Sequence, residues 1–409
     1  MADAGLPISV YWPLGAMMHK PLWIERTKPA IPSKLGVFLA CRLRYVFETE
    51  RPALKRIGEH PSALLGTAVH DAADVLRRRL PAEASASVSV LEQCIGRLVA
   101  HDSPSTQLIA WVLGRYGKNA LLPRAQFISQ AGFAWALAQR LPQRRVKGAG
   151  GLRDTTGRIP VGWERRLASV ALDMAGRADE IYLDDDRHVR IVDFKSGSIR
   201  DSEGHPKRSY VLQLAAYGLA VRELDPSVNI TLELLSKSDQ WIGTLDPSTV
   251  QAVSHLLGDL RAALPRGKSM PATGLACIGE QCAQCAYRPS CPPYRTKLEL
   301  EGLLDHGFYG FDVGGTCIGV AQENGIYAIR LALRQGFAAR ISCVPAILFP
   351  GGESIQGGET AAFGVRSLEP ARSGSLPQNF SVVDVQHPRN SAFQSCLDVR
   401  PRVPSLDFD

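Results

Sequence analysis

The chain has 409 residues, of which 45% are hydrophobic and 21% are charged, an ordinary balance for a globular protein with two or three cores. Its net charge of +7 is uneven: the first 304 residues carry 39 basic and 30 acidic residues, and the remainder carries eight and ten. The sequence lacks a secretory signal and an apolar run of about 18 residues, which excludes a helical membrane span. We therefore expect a cytoplasmic protein with no membrane partner, whose affinity for polyanions resides mainly in the first 304 residues.

The N-terminal third is expected to be an extension followed by helices. Residues 1–30 show little pattern, and Ser33 is the predicted N-cap of the first helix, because serine accepts hydrogen bonds from the first helical turn. The apolar spacing of that helix predicts four inward side chains: Leu35, Phe38, Leu39 and Cys41. Helical spacing then dominates from residue 71 to about residue 145, which predicts a helical insertion.

Two strand-like runs, 178–183 and 188–195, flank a charged turn and predict a β-hairpin. Asp193 and Lys195 are two residues apart, so their side chains point to one face of their strand. A partner strand can bring Asp179 beside them. Such a set can hold Mg²⁺ or Mn²⁺ and orient a water molecule for attack on a phosphodiester. The alternative is a surface hairpin with ordinary ion pairs.

The residues around this hairpin predict an α/β core. A strand is expected near 163–174, where Glu164 either contributes to the site or pairs with a neighbouring arginine. The run 209–224 is a predicted helix that carries Gln213 and Tyr217 four residues apart, on one face. A further strand and helix follow.

Three closely spaced cysteines, Cys282, Cys285 and Cys291, form the second informative stretch. In a reducing compartment such spacing indicates a bound metal rather than disulfides, although plain structural thiols are the alternative. A tetrahedral site needs a fourth ligand. Cys277 is the nearest candidate in sequence, and Cys41 is a distant one.

Taken together, these elements resemble the RecB-like branch of the PD-(D/E)XK nucleases. More narrowly they are similar to its iron–sulfur members: CRISPR adaptation nucleases, the AddB nuclease domain and a eukaryotic replication helicase–nuclease. The motifs that carry the resemblance occur in the family's order: G-x-x-x-H at 66–70, G-x-x-D at 176–179, D-x-K at 193–195 and Q-x-x-x-Y at 213–217, with one cysteine before and three after. The resemblance implies a restriction-endonuclease-like core over residues 31–300, with the helical insertion and the cysteine cluster inside it.

The resemblance also implies roles for individual residues. The divalent metal, Mg²⁺ or Mn²⁺, would be bound by His70, Asp179, Asp193 and the Phe194 carbonyl. Lys195 would position the attacking water and stabilise negative charge that develops on the scissile phosphate. Gln213 and Tyr217 would orient either the DNA strand or Lys195.

For the cysteines, the resemblance implies a 4Fe-4S cluster that joins the start of the domain to its end. Its ligands would be Cys41, Cys282, Cys285 and Cys291. Zn²⁺ in the same thiols is the alternative. Cys277 is an additional cysteine, and it keeps a local four-cysteine site open.

The last hundred residues differ in composition and predict a small all-β domain. Five short strands over residues 305–388 are typical of an OB-like barrel: 309–322, 326–332, 338–344, 360–366 and 380–385. Five side chains could stack on or grip single-stranded DNA: Phe311, Tyr327, Arg330, Phe337 and Arg340. The alternative is that the aromatic side chains among them are core and that the domain docks a partner. Residues 389–409 are expected to be a disordered tail, whose acidic and aromatic end could be a docking peptide.

These observations predict a metal-dependent DNA nuclease, a single-strand-preferring exonuclease or flap nuclease in DNA repair, processing or anti-phage defence. Its partners would be DNA, single-stranded or with ends, and a helicase or defence protein. The helicase is suggested only by the family resemblance, and the chain has no P-loop motif of its own. One alternative is an endonuclease of a restriction-type system. Another is a DNA-end-binding subunit of a helicase–nuclease complex, but a degraded subunit would be expected to lose part of the intact set of site residues.

Overall fold

The structure is a computed structural model. It describes residues 22–55, 57, 61–79, 84–100, 124–147, 159–185, 187–306, 311–323, 326–333, 338–345, 359–365, 367–369, 379–381 and 396–399. The contacts divide the chain into two compact units. The first consists of Ile24–Met270 with Leu275–Cys277, and the second contains Ile278–Asp409.

The first unit has α/β architecture, as the order of its predicted elements indicates. Its helices are α1 (Leu35–Ala40), α2 (Arg42–Glu50), α3 (Pro61–Arg79), α4 (Ala86–Ala100), α5 (Arg124–Lys147), α6 (Arg208–Leu224) and α7 (Pro247–Ala263). Its strands are β1 (Trp23–Glu25), β2 (Gly162–Ser169), β3 (Met174–Asp185), β4 (His188–Lys195), β5 (Asn229–Ser236), β6 (Gln240–Thr244) and β7 (Ser269–Pro271).

Strands β2 to β6 form one five-stranded sheet in sequence order, while β1 pairs with β7. Neighbouring strands of the large sheet are antiparallel except β4 and β5, which are parallel and in register from His188 opposite Asn229 to Lys195 opposite Ser236. Parallel strands need a crossover connection, and helix α6 provides it. This crossover brings α6 against the strand that carries Asp193 and Lys195.

The predicted hairpin matches strands β3 and β4. Strand β4 has the predicted bounds, and Ile181 of β3 lies opposite Ile191. Strand β3 is longer than expected because its first half also pairs with β2, where Ala178 lies opposite Arg165. The alternation of buried apolar and polar residues therefore identified the hairpin correctly, but it could not show the additional partner strand.

The first helix differs from the prediction. Residues Pro32–Lys34 form a 3-10 turn and α1 begins at Leu35, so Ser33 is not its N-cap. With only six residues, α1 buries one row, Leu35 and Phe38, and Leu39 is 50% exposed. Cys41 is half-buried and is the N-cap of α2.

The region of the predicted insertion contains α3, α4 and α5, which pack on one another around a shared apolar core. This core includes Leu76, Leu91 and Leu137, and it continues onto the sheet through Val192 and Phe194 of β4. Helix α3 begins ten residues before the predicted insertion. His70 therefore lies inside a helix that the apolar core anchors to β4.

The second unit contains α8 (Pro292–Glu301) and one sheet. Its strands are β8 (Leu303–Asp305), β9 (Phe311–Glu323), β10 (Ile326–Ala332), β11 (Ala338–Pro345), β12 (Glu359–Val365), β13 (Ser367–Glu369), β14 (Asn379–Ser381) and β15 (Cys396–Val399). All five predicted strands have counterparts among them. The described strands run along an open path from β13 to β15, so they do not show the predicted closed OB-like barrel. Strand β15 lies within the segment that was expected to be disordered and pairs with β12.

The cysteine segment belongs to this second unit rather than to the first. Arg288, between Cys285 and Cys291, donates hydrogen bonds from Nε and Nη2 to the buried carboxylate of Asp312, at 2.7 and 3.2 Å. The Tyr294 hydroxyl donates to the same carboxylate. Burial alone would raise the pKa of Asp312, but the guanidinium holds it well below its usual range. This ion pair ties the cysteine segment to strand β9.

In the parts of the chain that the structure describes, no helix has both the length and the apolar character that a membrane crossing requires.

Candidate active site

A cavity of about 850 Å³ lies in the first unit, where helices α3 and α6 meet the sheet. Seven residues that the sequence nominated for the site line this cavity together: His70, Asp179, Asp193, Phe194, Lys195, Gln213 and Tyr217. They come from two helices and two strands that are far apart in sequence. The fold therefore converts four short motifs into one constellation.

Asp193 and Lys195 form the innermost pair. The two side chains share a face of β4, and Lys195 Nζ lies 2.6 Å from Asp193 Oδ2. Gln213 of α6 joins both residues, since its Nε2 donates to Asp193 Oδ1 at 2.8 Å and its Oε1 accepts from Lys195 Nζ at 3.3 Å. Asp193 is 2% exposed, so this network holds a carboxylate that is almost removed from water.

The backbone of Phe194 links the other two nominated ligands. Its N–H donates to Asp179 Oδ2 at 2.7 Å, and its carbonyl oxygen lies 3.1 Å from His70 Nε2. Asp179 stands on β3, next to β4, and His70 reaches the carbonyl from α3. The imidazole, the two carboxylates and the carbonyl oxygen thus belong to residues that all line the cavity.

The electrostatics of the site favour a bound cation. Burial and the repulsion of Asp193 raise the pKa of Asp179 well above its usual value, and burial also raises the pKa of Asp193 despite the nearby Lys195. Burial lowers the pKa of His70, which keeps the imidazole neutral, as a metal ligand must be. Burial opposes the charge of Lys195, but the attraction of Asp193 and Asp179 outweighs it and raises the Lys195 pKa.

Glu164 of β2 is a further acidic group at the cavity. His70, Glu164 and Asp179 each offer one ligand atom, and these atoms lie within 4.8 Å of one another. Trp163 lies opposite Glu180 and Arg165 opposite Ala178, so Glu164 occupies the position that faces Asp179. The sequence left two roles open for Glu164, and the structure shows it both at the cavity and in an ion pair with Arg177.

The backbone at Glu164 is unusual for a strand. Its φ is 52°, in the left-handed region that costs a residue with a Cβ about 1–2 kcal/mol. Facing carboxylates on neighbouring strands also repel each other. The backbone strain and the repulsion between the carboxylates both lie at the cavity. A bound cation would offset the repulsion.

The donor set fits a hard divalent ion. Carboxylate and carbonyl oxygens with one neutral imidazole are ligands that Mg²⁺ and Mn²⁺ accept. In addition, buried Asp193 Oδ2 receives no hydrogen bond of good geometry, although the Lys195 ammonium is in contact with it. An acceptor in this state is available to a metal ion.

Two motif glycines permit close approaches at this site. A Cβ at Gly176 would lie 2.9 Å from Tyr217 Cε1 and 2.8 Å from Pro32 Cδ, both parts of rigid rings. A Cβ at Gly66 would lie 2.8 Å from Ser196 Oγ, directly after Lys195. The glycine of the G-x-x-D motif therefore makes room for the tyrosine of the Q-x-x-x-Y motif.

We expect the substitution Gly176→Ala to destabilise the protein by about 1–3 kcal/mol, because the new methyl group overlaps a ring that cannot move aside freely. The Tyr217 hydroxyl donates to the Arg177 carbonyl at 2.8 Å, so its displacement would also disturb strand β3 beside Asp179. Urea unfolding measures the loss. Gly258→Ala is the matched control, since a Cβ there meets nothing within 4 Å. Equal stability of the two variants would contradict the packing argument.

Sequence reasoning did not connect several charged residues to the cavity. Arg77 pairs with Asp74 at 3.1 Å and lies 5.8 Å from the centre of the Trp163 ring, and Arg78 also lines the cavity. On its own, the arginine run 77–79 is typical of a solvated basic surface. The signal that could have linked it to the site is helical spacing, because Arg77 follows His70 by two turns of α3.

Comparison with a protein-family model supports the same interpretation. The family model described as the PD-(D/E)XK nuclease superfamily matches residues 31–292. Among solved structures, a candidate exonuclease from Eubacterium rectale is 14% identical with a TM-score of 0.32, over 66% of this chain and 90% of that chain. SSO0001 is 15% identical with a TM-score of 0.21, over 45% of this chain and 80% of its own. No curated protein matches the sequence.

Because the family model spans more than half of the sequence, the chain belongs to the PD-(D/E)XK nuclease superfamily. The predicted superfamily is thereby confirmed. The mixed five-stranded sheet with helices against it is consistent with a core of this family.

Proposed function

We propose that this chain is a divalent-metal-dependent DNA nuclease of the RecB-like branch, acting on single-stranded DNA or DNA ends as an exonuclease or flap nuclease. The observation that carries the proposal is the convergence of Asp179, Asp193 and Lys195 with His70 on one open cavity. Two repelling carboxylates beside a neutral imidazole are costly unless a cation joins them. A permanently inactive binding subunit would not need to keep two repelling carboxylates close together.

In this proposal His70, Asp179, Asp193 and the Phe194 carbonyl hold Mg²⁺ or Mn²⁺, with Glu164 beside them. When bound, the ion lowers the pKa of a water molecule and offsets the charge of the phosphate. Lys195 remains an ammonium group, because Asp193 and Asp179 raise its pKa. It therefore stabilises negative charge and orients the water, and it does not act as the base.

Gln213 and Tyr217 act on the site residues in this proposal, rather than on DNA. Gln213 bonds both Asp193 and Lys195, and it is only 7% exposed. Tyr217 is 2% exposed and is occupied by the Arg177 carbonyl. The resemblance left two roles open, orienting the DNA strand or orienting Lys195. These contacts favour the role in orienting Lys195.

The DNA backbone would follow the basic side chains at the mouth of the cavity. Arg78 and Arg177 both line it, with side chains that are 71% and 64% exposed. Contacts of this kind with phosphates make affinity fall as salt rises. A helicase or defence protein remains the proposed partner.

The test is cleavage of end-labelled single-stranded, flap and duplex DNA with Mg²⁺, with Mn²⁺ and with a chelator. We expect metal-dependent cleavage of the substrates that have single-stranded ends, and the product ladder gives the polarity. Cleavage of circular single-stranded DNA would favour the endonuclease alternative. DNA binding without cleavage under any metal condition would contradict the enzyme and favour the end-binding subunit.

The cysteine segment is proposed to bind a 4Fe-4S cluster through Cys282, Cys285 and Cys291, with Cys41 as the fourth ligand. The first three follow one another across two 3-10 turns, Glu280–Gln284 and Arg288–Ser290. Zn²⁺ in the same thiols is the alternative, and it differs from a cluster because cluster thiolates bind different iron atoms that are bridged by sulfide.

We expect anaerobically purified protein to contain about four iron and four sulfide ions per chain. The variant Cys285→Ser should lose this iron and the visible absorbance that accompanies it. Cys277→Ser is the matched control, since Cys277 is exposed and lies outside the proposed ligand set. Stoichiometric zinc without sulfide would overturn the cluster in favour of the zinc alternative.

A further inference from the structure

Tyr210 is a residue at the site that none of the four motifs contains. It stands three residues before Gln213 and seven before Tyr217, so the three side chains share one face of helix α6. The Lys195 ammonium lies 4.6 Å from the centre of the Tyr210 ring. Ring and ammonium are both partly buried, which strengthens an attraction between a cation and the face of an aromatic ring.

The contacts of Lys195 show what the ring adds. An ammonium group has three N–H donors; that of Lys195 forms an ion pair with Asp193 Oδ2 at 2.6 Å and donates to Gln213 Oε1 at 3.3 Å. The ring is a third contact, and it binds positive charge without taking a hydrogen bond of fixed direction. Lys195 has a long flexible side chain that remains 21% exposed, so without this contact its head group could turn toward solvent.

We propose that Tyr210 is a positioning residue that keeps the Lys195 ammonium at the cavity through its ring face. This inference rests on the proposed function of Lys195. The ring limits the positions that the ammonium can occupy and leaves it free to shift between Asp193 and a substrate phosphate. A carboxylate in the place of Tyr210 would hold the ammonium too firmly, and an aliphatic side chain would not hold it.

A second lysine provides an internal comparison. Lys207 Nζ lies 5.6 Å from the centre of the same ring, and it donates to the Ser198 carbonyl at 2.8 Å. Lys207 is thus anchored independently of the ring and contacts none of the residues proposed to bind metal. The substitution Lys207→Met removes one cation from the ring and leaves Lys195 and its partners in place.

The activity test compares Tyr210→Leu, Tyr210→Phe and Lys207→Met in metal-dependent DNA cleavage. We expect Tyr210→Leu to lower kcat about tenfold with KM within about twofold, because a contact of this size affects the reacting state more than DNA binding. Tyr210→Phe should restore most of the rate, and Lys207→Met should keep kcat. Incorporating phenylalanines with one, two and three ring fluorines at position 210 should lower kcat stepwise, because fluorine withdraws charge from the ring face. A rate that is independent of fluorination would overturn the proposal.

A measurement without DNA separates this inference from the proposed function. In NMR spectra of protein with ¹³C-labelled lysine, the ring current should displace the Lys195 ε-methylene signal, which Lys195→Ala assigns. The displacement should persist in Tyr210→Phe and disappear in Tyr210→Leu. An undisplaced signal in the wild-type protein contradicts the contact. A displaced signal in a protein that cleaves no DNA supports the contact and places the failure in the proposed function.

Discussion

Replacing Lys195 with alanine is expected to lower the rate of DNA cleavage by about 10³-fold, the size of effect seen when one preorganised charge-stabilising group is removed. The ammonium is bound to Asp193, faces Gln213 and Tyr210, and is kept charged by the two buried carboxylates. The negative charge that develops on a phosphate during cleavage would be left without this group. DNA affinity should change little, because the exposed arginines remain.

Single-turnover cleavage measures the rate of the chemical step, and a separate Mn²⁺ titration of the same protein measures metal binding. Lys195→Arg should recover little, since a planar guanidinium cannot occupy the position of a compact ammonium. Lys207→Ala is the matched control, because that lysine lies over the same tyrosine ring but outside the cavity. If Lys195→Ala cleaves within tenfold of the wild-type rate, Lys195 is not the charge-stabilising group.

Replacing Asp179 with asparagine should abolish cleavage and stabilise the metal-free protein. Burial and the charge of Asp193 raise the pKa of Asp179 in the folded state. A carboxylate with a raised folded-state pKa costs stability once the pH exceeds its unfolded value, near 3.9, and the cost grows with pH until the folded pKa is passed. Asparagine removes that cost, and its carbonyl can still accept from the Phe194 N–H. We expect a gain of about 1–2 kcal/mol, or roughly 3–6 °C in Tm.

Thermal unfolding in a chelator between pH 5 and pH 8 checks this result. The Tm of the wild type should fall more steeply with rising pH than the Tm of Asp179→Asn, and Mn²⁺ should stabilise only the wild type. Asp71→Asn is the control, because Asp71 is an exposed carboxylate on the wall of the same cavity. A metal-free Asp179→Asn that is less stable than the wild type would show that the two carboxylates do not oppose folding.

The parts of the site that could be predicted from sequence are those whose geometry is local. Asp193 and Lys195 share a strand face at i and i+2, and Gln213 and Tyr217 share a helix face at i and i+4. Their motifs therefore specify which side chains point together before any tertiary contact is known. The predicted hairpin could bring Asp179 beside Asp193 and Lys195, whereas only the resemblance to a family could bring His70 to the same place.

Features that depend on distant pairing or on backbone strain were missed. The sequence left two roles open for Glu164, and no pattern of residue types indicates the left-handed φ at this position. Tyr210 has no motif, and its contact with Lys195 exists only once α6 has packed on β4. The strands of the second unit were located nearly correctly, yet alternation cannot show whether a sheet closes, since closure is decided by pairings such as β12 with β15.

The parallel pairing of β4 with β5 has a consequence for the order in which the enzyme is made. Strand β4 carries Asp193 and Lys195, but the partner that completes it emerges from the ribosome only after all of α6. Non-local pairing of this kind forms late, because the intervening chain must be ordered first. A nascent chain that ends before Asn229 therefore lacks the strand that supports the proposed catalytic pair. Synthesis would place most of the first unit outside the ribosome before any cleaving activity could arise.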